Sequence, residues 1–211
     1  FLIETAGHFS VIAVEGYCDA LLMQQSTVVR NSVFHFVLVC PPVAKRTGAC
    51  SMGFHLVGQS GGSGLIGGLL ALRNDIACAV PGAGRLSLLR TLRPTGDPSK
   101  DYFDPNDAIG MIAANRGARI IVVTDPQDQV VGVQHQVAFV SAMRREGRAV
   151  EQYFVHSTDE KNHGVLAYAG RATVMCAQGA PSTRIYADLD ILVKKRMAAA
   201  AQARNPIMNQ P

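Results

Sequence analysis

At 211 residues and 48% hydrophobic, the chain can bury a sizeable core as a single domain over 1–211. Its net charge of +4 is too small, and its basic residues too scattered, for a nucleic-acid surface, and no apolar run approaches the ~18 residues of a membrane span. Cys18, Cys40, Cys50, Cys78 and Cys176 are odd in number with no C-x-x-C pair, which argues against a zinc site and a disulfide framework and leans towards reduced thiols and a cytoplasmic setting.

In chain order, Phe9 to Val14 reads as the first buried strand, closing at Glu15-Gly16, and Asp19 is placed to cap a helix to about Val29. Val33 to Cys40 has the composition of a strand. A parallel sheet, though, needs a helical crossover before its next strand, so the expectation here is a helix. His35 and His55 sit within apolar runs and are read as packing histidines. Phe54 to Val57 forms a short strand that opens into a helix through Leu65, Ile66, Leu69, Leu70 and Leu72. Ile76 to Val80 is a further strand, Leu86 to Leu92 a short helix, and 94–105 a proline-rich, acidic surface loop at a rim. Asp107 to Asn115 is helical, and Arg119 to Thr124 is the clearest buried strand. Val133 to Glu146 is a helix stopped by Gly147, Val150 to His156 alternates as a strand, and Gly164 to Gln178 and Asp188 to Arg204 are helices. Strands alternating with helices predict an α/β fold, a mainly parallel sheet with helices on both faces.

Between the Phe54 strand and its helix, Gly58-Gln59-Ser60-Gly61-Gly62 fits G-x-S-x-G. A serine at the tip of so sharp a turn sits in strained backbone, and glycines two positions either side remove side chains that would collide. The first helical N–H groups then face the point where a developing oxyanion can be held. Two rivals share these letters. Gly62 to Gly67 spells G-x-G-x-x-G, the dinucleotide fingerprint, which wants an acidic residue ending the next strand roughly 20 residues on. That strand runs instead into Pro81-Gly82-Ala83-Gly84. A phosphate-binding P-loop wants lysine where Gly68 stands. A plain glycine-rich turn packing helix on sheet stays open until Ser60 finds partners.

Two later sites sit where a strand ends. Asp125 and Asp128 follow the strongest strand and so emerge at the sheet edge where open α/β folds bind ligands. His163, within Lys161-Asn162-His163-Gly164, follows the last strand in the same way, and His156 competes with it as a base. Ser60, then an aspartate, then His163 is the chain order of one triad family. In that chemistry imidazole takes the serine proton and returns it to the leaving group, while the carboxylate orients the ring. Asp125 precedes a proline and is suited to bond its own backbone in a turn. Asp159 and Glu160 are read as solvating their loop.

From about Phe9 to Ala177 the chain resembles an α/β-hydrolase, nearest the dienelactone-hydrolase and prolyl-oligopeptidase-type serine hydrolases. Gly58 to Gly62 matches the elbow, Asp128-Gln129-Val130-Val131 the D-x-V-V after a strand, and His163-Gly164 the closing pair. The resemblance implies Ser60, Asp128 and His163 as the triad, with Asp128 preferred to Asp125, and the Gly61 N–H as an oxyanion donor. It also implies a second donor from a loop after an earlier strand. Only eight residues precede Phe9, and Gly7-His8 is no H-G-G-like loop. The expectation is therefore an N-terminally incomplete domain lacking its first strands, with Gly16 or Tyr17 as a substitute donor.

The implied function is a serine esterase cleaving a small-molecule carboxylic ester through an acyl-enzyme, with no metal or organic cofactor. A peptidase is the weaker enzymatic version, since no propeller or other selecting domain accompanies the catalytic one. The alternative from another class is a hydrolase-fold protein that binds or scaffolds without turnover.

Overall fold

The computed structural model describes residues 54–89 and 104–204, together with the backbone of three strands nearer the N-terminus. Those strands are β1 (Leu2–Thr5), β2 (Phe9–Ile12) and β3 (Phe34–Val39). They are followed by β4 (Phe54–Gln59), β5 (Ile76–Gly82), β6 (Arg119–Thr124) and β7 (Glu151–Phe154). Their order in the sheet is their order in the chain. β4 to β7 run parallel, as do β2 and β3, whereas β1–β2 and β3–β4 are antiparallel. The described helices are α1 (Gly61–Leu72), α2 (Ile109–Ala114), α3 (Gln134–Arg145), α4 (Leu166–Ala177) and α5 (Ser182–Arg204), with a 3-10 turn at Pro105–Ala108. The architecture is mixed α/β around a four-stranded parallel portion.

Alternation along these strands builds two cores. Leu56, Ile76, Ala79, Ile120 and Val122 face Ile66 and Leu70 of α1, Ile112 of α2, and Phe139, Val140 and Met143 of α3. Val57, Val80, Ile121 and Val123 point the other way, into Tyr168, Ala172 and Met175 of α4 and Ile185 and Leu189 of α5. Each large apolar side chain so buried contributes roughly 1.5–3 kcal/mol. His55 is buried on β4, and among the described residues neither ring nitrogen has a hydrogen-bond partner. Burial pushes its pKa down, so the ring is held neutral, as befits a packing histidine.

Several expectations are corrected. The stretch from Val33 to Cys40 contains strand β3, not a helix. A crossover is obligatory only between parallel neighbours, and β3 lies antiparallel to β4 with Val37 opposite Val57. Freed of that constraint, the Val/Phe/Leu run adopts the strand its composition favours. Ahead of Phe9, where no strand was expected, Leu2–Thr5 pairs with β2, Leu2 opposite Ile12. Leu86 to Leu89 is not helical. Asp104 Oδ2 accepts the Leu88 N–H at 3.0 Å and Ser87 Oγ the Leu89 N–H at 3.2 Å, while Leu89 takes φ 54°. Side-chain oxygens there compete for the donors a helix would use. α5 begins at Ser182, six residues before the expected Asp188. The helix expected from Asp19 and most of the 94–105 loop lie outside the described residues.

Cys78 in β5 and Cys176 in the last turn of α4 form a disulfide, with Cα atoms 6.3 Å apart. This overturns the expectation of reduced thiols, and the leaning to a cytoplasmic setting loses its basis. An odd count leaves one cysteine over but does not prevent a pair, and α4 packs directly on β5, which brings these two together. Cys18, Cys40 and Cys50 lie outside the described residues. Among the described residues, no helix is long and apolar enough to cross a membrane.

Candidate active site

The turn between β4 and α1 is built by sterics. Ser60 holds φ 56° and ψ −119°, a conformation L-residues adopt only when the surroundings enforce it. A Cβ at Gly58 would stand 2.8 Å from the carbonyl of Gly62, so the first glycine of the motif is a physical requirement. The strained turn is also tied down. The Ser60 N–H bonds Gly82 O at 3.0 Å, and the buried Ser63 Oγ lies 2.6 Å from Gly82 O and 3.1 Å from Gly58 O. Gly61 opens α1, where the leading N–H groups have no intrahelical acceptor.

Parallel pairing brings the later sites to the same edge. Gln59 lies opposite Gly82, Gly82 opposite Val123, and Thr124 opposite Phe154, so the segments after β4, β6 and β7 leave the sheet side by side. The two aspartates after β6 are used differently. Asp125, 1% exposed, accepts the Gln127 N–H at 2.8 Å on Oδ1 and the Ser157 N–H at 2.6 Å on Oδ2. Both of its oxygens serve backbone. Asp128 Oδ1 accepts the N–H groups of Val130 at 2.8 Å and Val131 at 2.9 Å, and Oδ2 stands 2.8 Å from His163 Nδ1. The two valines of the motif thus contribute their backbone, holding one oxygen and leaving the other for the imidazole. The Asp128 side chain is 1% exposed and that of His163 16%, so the pair is shielded yet the ring reaches solvent. A carboxylate on Nδ1 keeps the proton there and leaves Nε2 as the basic nitrogen. His156 is exposed and contributes its carbonyl to the Tyr168 hydroxyl at 2.9 Å.

The histidine segment is sewn to its neighbours. Lys161 O accepts the Gln129 N–H at 3.0 Å, and the Asn162 amide donates to Gln127 O at 3.4 Å from a backbone with φ 55°. Asp159, expected only to solvate the loop, organises it instead. Its carboxylate accepts the N–H groups of Gly164 at 2.7 Å, His163 at 3.1 Å and Lys161 at 3.3 Å, and the Ser157 hydroxyl. Burial alone would raise this carboxyl's pKa. The bonds from Ser157, Gly164, His163 and Lys161 outweigh it and bring the value down to about 2. The available signal was an aspartate two to five residues ahead of the donors it captures, the spacing of an Asx turn.

Ser60 and His163 share the edge, but among the described residues no hydrogen bond joins the serine hydroxyl to the ring. Such contacts often tighten only with substrate bound. Gly16 and Tyr17, the candidate second oxyanion donors, lie outside the described residues. Among the described residues no group of three or more His, Cys, Asp or Glu side chains could hold a metal ion. Comparison with protein-family models, curated proteins and solved structures found no match to this chain.

Proposed function

We propose that this protein is a serine hydrolase of the α/β-hydrolase type, cleaving carboxylic esters through an acyl-enzyme. The observation that carries the reading is the Asp128–His163 pair, 2.8 Å apart, on the sheet edge where Ser60 is held at φ 56°. The Ser60 hydroxyl attacks the ester carbonyl as His163 Nε2 takes its proton, and the Gly61 N–H faces the oxyanion. The imidazolium, stabilised by Asp128, protonates the departing alcohol. Water, deprotonated by the same nitrogen, then releases the acid and restores Ser60. The antiparallel β3–β4 pairing departs from the parallel sheet the resemblance implies, so support for this fold type rests on β4 to β7 and their helices.

Hydrolysis of short p-nitrophenyl esters tests the reading. Ser60→Ala is expected to lose at least about 10³-fold in kcat with the melting temperature nearly unchanged. Parent-level hydrolysis by that variant would place the nucleophile elsewhere. The missing Ser60–His163 hydrogen bond favours a second reading, a hydrolase-fold protein that binds without turnover, for which the parent itself would hydrolyse none of these esters.

A further inference from the structure

The residue before the nucleophile reaches across the site. Gln59 ends β4, and its side-chain Oε1 accepts the N–H of Leu166, 107 residues on, at 2.7 Å. Leu166 is the first residue of α4, and Val165 at the helix N-cap offers no side-chain acceptor. A helix start needs such acceptors, usually from a Ser, Thr, Asp or Asn a few residues away. Here a strand on the other side of the site supplies one. Leu166 stands three residues after His163, and Gln59 stands immediately before Ser60. A second contact runs alongside. Val165 packs over Gly82, where a Cβ would come within 2.7 Å of Val165 Cγ2, and Gly82 O holds the Ser60 N–H.

We propose that Gln59 is a positioning residue, setting the distance between the nucleophile and its base by pinning the start of α4 to the elbow. The role rests on the serine-hydrolase reading. β4 is paired with a strand on each side and its turn is tied to Gly82, whereas the segment from His156 to Val165 has no regular secondary structure and takes its place from side-chain and turn hydrogen bonds. Asp159 gathers that segment internally, but its bonds do not relate it to Ser60. The Gln59 bridge does. Losing it lets the imidazole drift along the sheet edge while the Asp128 pair stays formed, and a displacement of the order of 1 Å costs about 10²-fold in rate.

The test compares the parent, Gln59→Leu and Gln59→Glu by fluorophosphonate labelling of Ser60, ester kinetics, and amide hydrogen exchange at Leu166. Gln59→Leu is expected to exchange the Leu166 amide faster, to label roughly 10–100-fold more slowly, and to lose kcat with KM little changed. Gln59→Glu keeps an acceptor that the helix N-terminus favours, and restores both protection and labelling. A folded leucine variant that labels at the parent rate overturns the role. So does a folded glutamate variant that protects Leu166 but stays slow, which keeps the question answerable if the leucine variant does not fold. A parent that never labels overturns the hydrolase reading and this role with it, whereas Leu166 exchange still reports whether the bridge forms.

Discussion

The Ser60 turn and the His163 segment reach the same sheet edge by opposite means. At the turn the steric logic lies within five residues, because the missing side chain of Gly58 makes room for the Gly62 backbone while Ser60 holds φ 56°. The segment after β7 is gathered locally by Asp159, but those bonds do not fix it to the sheet edge. Its place there comes from Asp125 on Ser157, Asp128 on His163, Gln59 on Leu166 and the Gln129–Lys161 backbone bond. On the proposed reading, a nucleophile fixed by its own turn is paired with a base placed on the sheet edge by distant contacts, and damage should enter through the second region. That is a claim about where rate is lost, separable from where stability is lost.

The two aspartates after β6 are the sharpest way to break this contrast. Asp128→Asn presents the wrong group to His163 Nδ1, and a loss on the scale of 10⁴-fold in kcat is expected with folding retained. Asp125→Asn replaces an acceptor of two backbone N–H groups by a side chain that can satisfy only one, costing about 1–3 kcal/mol of stability with kcat of the folded fraction little changed. Paired kinetics and thermal melts on both variants decide this, and a reversed pattern would make Asp125 the functional acid.

Next in size is the disulfide. Cys176 sits in the last turn of α4, at the far end from His163, so Cys176→Ser should cost about 2–4 kcal/mol in denaturant unfolding and leave ester turnover near the parent value. A large loss of kcat would show that the base depends on the whole helix and not on its first turn.

The smallest effect concerns Asp159. Its folded pKa, about 2, lies below the ordinary 3.8, so its contribution is complete above about pH 5 and fades as pH falls through that range towards 2. The stability gap between the parent and Asp159→Asn should therefore be constant from neutral pH to about 5 and close below that. A gap that widens on acidification would mean Asp159 is not held in its charged form.

How much of this could be read from the letters follows the same division. The strand-end placement of Ser60, Asp128 and His163 was legible because each sits beside a strand end whose apolar run is unmistakable, and because glycine and the valine pair mark the turns. The alternation of strands and helices from Phe54 onwards was legible for the same reason. β3 was misread because the crossover rule was applied to a strand that turned out antiparallel. The Cys78–Cys176 bond, the Gln59 bridge and the Asp159 hub left less trace. The first two join residues 98 and 107 apart, and nothing in one-dimensional spacing distinguishes them from any other cysteine or glutamine. Asp159 looked like an exposed loop acid because its partners are backbone N–H groups, which every sequence contains.

The measurement that bears most directly on the account is the mapped site of a fluorophosphonate adduct in the parent and in His163→Ala. The account predicts one phosphonylated serine, Ser60, on the parent, with labelling slowed by orders of magnitude in the histidine variant because the hydroxyl has lost its base. An adduct at another serine, or labelling of Ser60 at the same rate without His163, would contradict it.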